Sequence, residues 1–135
     1  MTKIQVGSNA EEEFSFTQKD VNDFIKLSGD SNPIHFDTEY ASKTIFKKPI
    51  VHGFLSSSII SKLIGTNLPG EGSIYLFQDL KFYNPVFVDN KYLAKVEVVN
   101  IDGDIIKLET VITDVKTGGK IVLGNAKIKY IGNKL

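Results

Sequence analysis

The stretch from Tyr92 to Ile131 reads YLAKVEVVNIDGDIIKLETVITDVKTGGKIVLGNAKIKYI. From Tyr92 to Ile101, Ala94, Val96 and Val98 alternate with Lys95 and Glu97. From Ile105 to Val115, Ile106, Leu108 and Ile112 alternate with Lys107 and Glu109. From Ile121 to Ile131, Val122, Gly124, Ala126, Ile128 and Tyr130 share one face. Successive strand side chains point to opposite faces, so this pattern predicts three strands that each bury one side. Asp102-Gly103 and Lys116-Thr117-Gly118-Gly119 fall between them and carry hairpin-turn chemistry. The three strands form an antiparallel meander.

Upstream, Ser73 to Tyr83 reads as one further strand. Ile74, Leu76, Leu80 and Phe82 lie on one face, and Tyr75, Phe77 and Tyr83 on the other. A strand apolar on both faces is expected to bury its second face against a partner subunit. A short strand is expected within Glu11 to Phe16.

Two helices precede this sheet. Thr17 is placed as an N-cap, with Asp20 as its capping-box partner, and Val21, Phe24, Ile25 and Ser28 follow at helical spacing. Gly29 closes that helix, and Asp30-Ser31-Asn32-Pro33 is turn sequence. Ile34 to Lys48 reads as irregular, with one helical turn near Tyr40 to Lys43. A second helix runs from about Phe54 to Thr66, ended by Leu68-Pro69-Gly70. Its small and apolar residues predict burial around most of its circumference. Helices followed by a run of antiparallel strands define an α+β fold, the helix packed on one face of a curved sheet.

The 135 residues suit a single domain, 1–135, with 41% hydrophobic and 24% charged residues. Sixteen basic residues balance sixteen acidic ones without long runs of either sign. That argues against nucleic acid or an anionic membrane as partner. The absence of cysteine excludes a thiolate nucleophile and a disulfide scaffold. The polar stretch Met1 to Ala10 lacks a signal-peptide core, and no apolar run reaches the ~20 residues of a membrane span. A cytoplasmic protein is expected.

Chemistry narrows to few residues. The only histidines are His35 and His52. Asp30 and His35 stand five apart around Pro33, and a turn there brings a carboxylate and an imidazole to one side of a pocket, a general acid–base arrangement. The alternative is structural: Asp30 caps the turn and His35 is a satisfied loop residue. Gly53 opens the second helix, whose free N–H groups attract negative charge and can hold an oxyanion. Equally, it can serve only as a tight entry turn. His52 gains no chemical role from spacing and is assigned to packing. Gly53, Ser57 and Ser61 lie four apart, on one helix face. No zinc pattern, phosphate loop, dinucleotide fingerprint or serine elbow is present.

The motif Leu27-Ser28-Gly29-Asp30-Ser31-Asn32-Pro33-Ile34-His35, with Ala41 after it, resembles the hydratase-2 motif of the MaoC-like dehydratase family. Pro49-Ile50-Val51-His52-Gly53, Leu68-Pro69-Gly70 with Gly72-Ser73-Ile74-Tyr75-Leu76, and Asn84-Pro85-Val86-Phe87-Val88-Asp89 match it in order. The resemblance spans about Thr17 to Val99 and is nearest to single-domain (R)-specific enoyl-CoA hydratases. It implies a hot-dog fold, a long helix wrapped by an antiparallel sheet, as a homodimer. It implies a hydro-lyase acting on acyl-CoA thioesters in fatty-acid or polyhydroxyalkanoate-type metabolism, with coenzyme A as part of the substrate and no cofactor or metal. Asp30 and His35 then activate the water, Gly53 N–H holds the thioester carbonyl, Ser61 lies in the site and Asn32 orders the catalytic loop. Two readings compete. A hot-dog thioesterase would carry a carboxylate on the central helix, and Phe54 to Thr66 has none. A non-catalytic acyl-thioester-binding subunit would be expected to lack the Asp or the His.

Overall fold

The computed structural model describes residues 3–135; Met1 and Thr2, at the start of the polar N-terminus, lie outside the described residues. One six-stranded antiparallel sheet carries the fold. Its strands are β1 (Asn9–Phe14), β2 (Ser73–Gln78), β3 (Lys81–Phe82), β4 (Tyr92–Asp102), β5 (Ile105–Asp114) and β6 (Lys120–Tyr130). They run in the order β1-β4-β5-β6-β2, with β3 continuing alongside β6 past the end of β2.

The β4–β5–β6 meander is the one expected. Ala94, Val96, Val98, Ile106, Leu108, Ile112, Val122, Ala126 and Ile128 are all buried on it. Lys95, Glu97, Lys107 and Glu109 alternate with them, Lys107 and Glu109 exposed and Lys95 and Glu97 partly so. Gly103 and Gly118, in the two turns, adopt φ +61° and +73°, where a side chain would be strained. Thr110 departs from the apolar pattern: fully buried, it accepts a hydrogen bond from Gln78 Nε2 at 3.0 Å. That bond offsets the cost of a buried hydroxyl.

Three α-helices cross or flank the sheet: α1 (Gln18–Ser28), α2 (Thr38–Ser42) and α3 (Gly53–Thr66), with a 3-10 turn over Pro33–His35. The expected capping box starts α1. Thr17 Oγ1 accepts from Asp20 N at 3.1 Å and Asp20 Oδ2 accepts from Thr17 N at 2.9 Å. Gly29 ends it in the left-handed conformation, φ +78°. α3 lies across β4, β1 and β5. Ile60, Leu63 and Ile64 are its deepest residues, each at most 1% exposed, and each such side chain contributes roughly 1.5–3 kcal/mol.

Three expectations need correction. α3 is not buried around most of its circumference: Phe54, Ser58, Ser61, Lys62 and Gly65 are exposed, because a single sheet covers one side of a helix. Ser73 to Tyr83 is not one strand. A register shift between Tyr75 and Phe77 breaks the alternation. The turn at Asp79 then anchors on Asn125, whose N–H donates to Asp79 Oδ1 at 2.6 Å, and pairing resumes only at Lys81. As a result Ile74, Tyr75, Leu76, Phe77, Phe82 and Tyr83 are all exposed along the β2 edge. The first strand starts at Asn9, two residues before the expected Glu11, because Asn9 and Ala10 pair with Glu97 and Val96 of β4. No helix among the described residues is long and apolar enough to cross a membrane.

Candidate active site

The C-terminus of α1, the loop it releases and the N-terminus of α3 meet at one place. Gly29 turns the chain out of α1, and the next residue is Asp30. Asp30 Oδ1 accepts from Asn32 N–H at 3.3 Å, and Asn32 Oδ1 accepts from Ile34 N–H at 3.3 Å, starting the 3-10 turn. Pro33 suits the first position of that turn because its missing N–H has no partner there anyway. The turn then delivers His35 to the interior, 9% exposed. The structural reading of Asp30 is therefore real: it does cap the loop. The same carboxylate, about half-exposed, also faces two imidazoles.

His35 Nδ1 is 2.8 Å from the carbonyl of Ile50. A carbonyl only accepts, so Nδ1 carries the proton and Nε2 keeps a free lone pair. Burial lowers the His35 pKa below its ordinary 6.5, and His52 adds to this; the Ile50 carbonyl and Asp30 pull the other way. The ring is held as a neutral base.

His52 occupies a place that spacing did not reveal. Buried to 2% exposure, it is the N-cap residue of α3. Its Nε2–H donates to the backbone carbonyl of Asp30 at 3.0 Å and lies 3.9 Å from Asp30 Oδ2. Its ring stacks on His35 with centroids 3.6 Å apart and meets Phe24 edge-on at 4.8 Å. It packs, as expected, but against His35 and the backbone of Asp30. The one signal in sequence was its position directly before Gly53.

Asp30, His35 and His52 bring one oxygen and two ring nitrogens within 4.8 Å of one another. One water accommodates hydrogen bonds of about 2.8 Å to two groups at such a separation. A metal ion fits the trio poorly. The imidazoles already place Nδ1 of His35 and Nε2 of His52 on backbone carbonyls, so each ring has one nitrogen committed to a hydrogen bond.

Gly53 is the first residue of α3, and no side chain caps this helix. By contrast Thr17, Asn32 and Asp37 cap the other helical starts. The first N–H groups of α3 thus remain as donors with the helix dipole behind them. A Cβ on Gly53 would stand 2.5 Å from Phe82 Cε1, so glycine is what allows Phe82 to lie against the helix start. A cavity of about 340 Å³ opens here, walled by Phe46, Ile50, Gly53, Phe82, Tyr83 and Pro85 among others. Asp30 and His35 are not part of its wall; Ile50, whose carbonyl holds His35, is.

Of the residues singled out in sequence, Asp30, His35, Asn32 and Gly53 come together around His52. Ser61 does not. It is exposed two turns along α3, lining a second cavity of about 290 Å³ with Ser57, Tyr75 and Gln78. Burial raises the Tyr75 pKa to about 12, and its hydroxyl donates to Gln78 Oε1 at 2.7 Å. Gly53, Ser57 and Ser61 share a helix row, but Gly53 faces the first cavity and the two serines the second, where Ser57 is buried with no partner for its hydroxyl among the described residues.

A helix laid on an antiparallel hot-dog sheet, with a carboxylate–imidazole pair beside its uncapped N-terminus, defines an acid–base enzyme of the hot-dog class. The chain belongs to the MaoC-like family: the family model for the MaoC like domain matches residues 2–121. Among its relatives, the (R)-specific enoyl-CoA hydratase of Aeromonas caviae is 42% identical over 128 residues, covering 93% of this chain and 95% of that one. The enzyme of the same name from Rhodospirillum rubrum is 38% identical over 120 residues, covering 89% and 83%. The solved structure of the Aeromonas caviae (R)-hydratase, described as involved in PHA biosynthesis, superposes with a TM-score of 0.90 over 94% of this chain and 97% of its own.

Proposed function

We propose that this protein is an (R)-specific enoyl-CoA hydratase, which adds water reversibly to a trans-2-enoyl-CoA to give the (R)-3-hydroxyacyl-CoA. The observation that carries the reading is the convergence of Asp30 and His35 on the start of α3, in a chain 42% identical to a protein of that activity.

The chemistry follows from the geometry. The thioester carbonyl accepts a hydrogen bond from Gly53 N–H, which draws electron density from Cβ. A water held between Asp30 and His35 Nε2 gives up a proton as its oxygen attacks Cβ. The electron pair moves to Cα and the carbonyl, where the helix N-terminus stabilises the enolate oxygen. The proton removed from the water returns from the same pair to Cα. Loss of one such oxyanion donor typically costs ~3 kcal/mol in barrier. Asn32 holds the loop that presents Asp30, and Ser61 lies farther along the acyl side. No organic cofactor or metal takes part. A hot-dog thioesterase would need a carboxylate on α3, and Gly53–Thr66 carries none.

The exposed β2 edge, with Ile74 to Phe77 uncovered, supports a homodimer in which this edge and the open flank of α3 meet a second copy. A cytoplasmic location belongs to the same proposal.

The test is loss of the enone absorbance of crotonyl-CoA, with wild type, Asp30→Asn and His35→Gln compared. Wild type is expected to bleach the band and both variants to fall by ~10²-fold or more. CoA release without hydration would favour a thioesterase. A folded protein inert in both assays would favour a binding subunit.

A further inference from the structure

We infer that Tyr75 is the residue that limits the length of the acyl chain, and that Gln78 is the positioning residue that holds its ring in place, fixed in turn on the buried hydroxyl of Thr110. This rests on the hydratase reading, which sets the thioester carbonyl on Gly53 N–H and Ser61 on the acyl side.

The second cavity, of about 290 Å³, is where the tail of the chain would lie. Phe54, the residue after Gly53, lines this cavity as well as the first. Ser57 and Ser61 on its wall stand about 6 Å and about 12 Å beyond Gly53 along the helix axis. Polar residues contribute to the wall, but their polar atoms are engaged by the protein. Ser58 Oγ donates to the Leu55 carbonyl at 2.6 Å. The Tyr75 hydroxyl donates to Gln78 Oε1 at 2.7 Å. Gln78 Nε2 donates to the Asp79 carbonyl at 2.8 Å and to Thr110 Oγ1 at 3.0 Å. The Ser57 oxygen is itself buried. With Phe54, Ile60, Leu80 and the Tyr75 ring, the surface left is chiefly carbon, which suits a hydrocarbon tail.

Three features of the sheet bring Tyr75 and Gln78 to this wall. In a regular strand two residues three apart face opposite sides. The register shift between Tyr75 and Phe77 inserts one extra residue, and both side chains then line the cavity. β6 lies between β2 and β5, and its Gly124 pairs with Thr110. A Cβ on Gly124 would stand 2.9 Å from Gln78 Nε2, so glycine is what lets the amide cross β6. Thr110, fully buried on an otherwise apolar face, is the acceptor on the far side. Burial raises the Tyr75 pKa to about 12, so its hydroxyl stays a donor at neutral pH. A partly exposed ring on an edge strand is thus held by hydrogen bonds that reach two strands inward.

Crotonyl-CoA and trans-2-octenoyl-CoA carry the same reacting atoms and differ in tail length. kcat/KM is measured on both for wild type, Tyr75→Ala, Thr110→Val and Thr110→Ser, with the melting temperature of each. Wild type is expected to favour crotonyl-CoA by roughly tenfold or more, and Tyr75→Ala to shift the ratio toward octenoyl-CoA by a similar factor, through KM. Thr110→Val, which takes the acceptor from Gln78, should shift it the same way by less. Thr110→Ser, which restores a hydroxyl, should return it to the wild-type value. A wild type indifferent to tail length, or a ratio unmoved in Tyr75→Ala, overturns the limit at Tyr75. Equal ratios in Thr110→Val and Thr110→Ser overturn the positioning role of Gln78. Calorimetric titration with butyryl-CoA and octanoyl-CoA separates this from the hydratase reading. Octanoyl-CoA binding gained in Tyr75→Ala, in a protein that hydrates nothing, sinks the hydratase and keeps the chain-length limit. Hydration with a length preference that ignores Tyr75 does the reverse.

Discussion

The imidazole of His52 donates from Nε2 to the backbone carbonyl of Asp30 at 3.0 Å, tying the start of α3 to the loop 22 residues upstream. The residue that precedes Gly53 thus also holds the backbone of Asp30, and its ring backs His35 at 3.6 Å. His52→Leu leaves that carbonyl without a donor and removes the stack. The expected result is a kcat loss of roughly 10–10²-fold with KM little changed. His52→Gln, which restores an N–H, is expected to recover part of it. Because His52 helps to lower the His35 pKa, the Leu variant should also move the acid limb of kcat/KM to higher pH, which a purely structural role would not do. Equal losses in Leu and Gln with an unmoved limb would refute this.

With His35 as the proposed base, its protonation sets the acid limb. Its folded pKa lies below 6.5, chiefly through burial, so protonation of Nε2 has its midpoint below pH 6.5. kcat/KM for crotonyl-CoA is expected to fall along an acid limb centred below pH 6.5. The sign for stability is the same. Below about pH 6.5 the unfolded chain takes up this proton before the folded one does, so this contribution is present above 6.5 and lost as pH falls. An acid limb centred above pH 6.5 would show that another group is the base.

Gly53→Ala places a Cβ 2.5 Å from Phe82 Cε1. Phe82 is about half-exposed and can swing aside, so the melting temperature should change little. The displaced ring and the new methyl crowd Gly53 N–H, the proposed carbonyl donor, and kcat/KM is expected to fall at least ~10-fold. The double variant with Phe82→Ala should relieve the clash but not the crowding by the methyl. Activity restored fully in the double variant would mean that Phe82, not the donor, is what the substitution harms.

Leu76 and Phe77, 50% and 53% exposed on the sheet edge, are expected to be covered in the homodimer. Leu76→Lys or Phe77→Lys should convert a dimer to monomer in sedimentation and lower activity in step. A wild type that sediments as a monomer at micromolar concentration and is fully active removes the dimer from the proposal.

At the start of α1, Thr17→Ala removes the Oγ1 acceptor for Asp20 N–H and is expected to cost about 1 kcal/mol in urea unfolding. No loss would mean that the bond forms equally well to solvent.

Local chemistry was legible wherever one residue's backbone or its alternation set the outcome. Thr17 with Asp20 capped a helix, Gly29 ended it, Gly103 and Gly118 turned hairpins, and the 92–131 alternation produced a buried sheet face. Ser73 to Tyr83 was misread as one strand because its break comes from Asp79 anchoring on Asn125, 46 residues away. No local pattern encodes that contact.

The site divides along the same line. Sequence by itself determined the family and pointed to Asp30, His35 and the glycine that opens α3 as candidates, because motif order and residue chemistry are properties of the chain. Only the tertiary structure decided that His52 stands against both Asp30 and His35, and that His35 Nδ1 lies on the Ile50 carbonyl, which leaves the lone pair on Nε2. Each of these depends on a carbonyl, a ring or a charge brought in from a distant segment, and spacing along a chain carries no information about what a fold places across it.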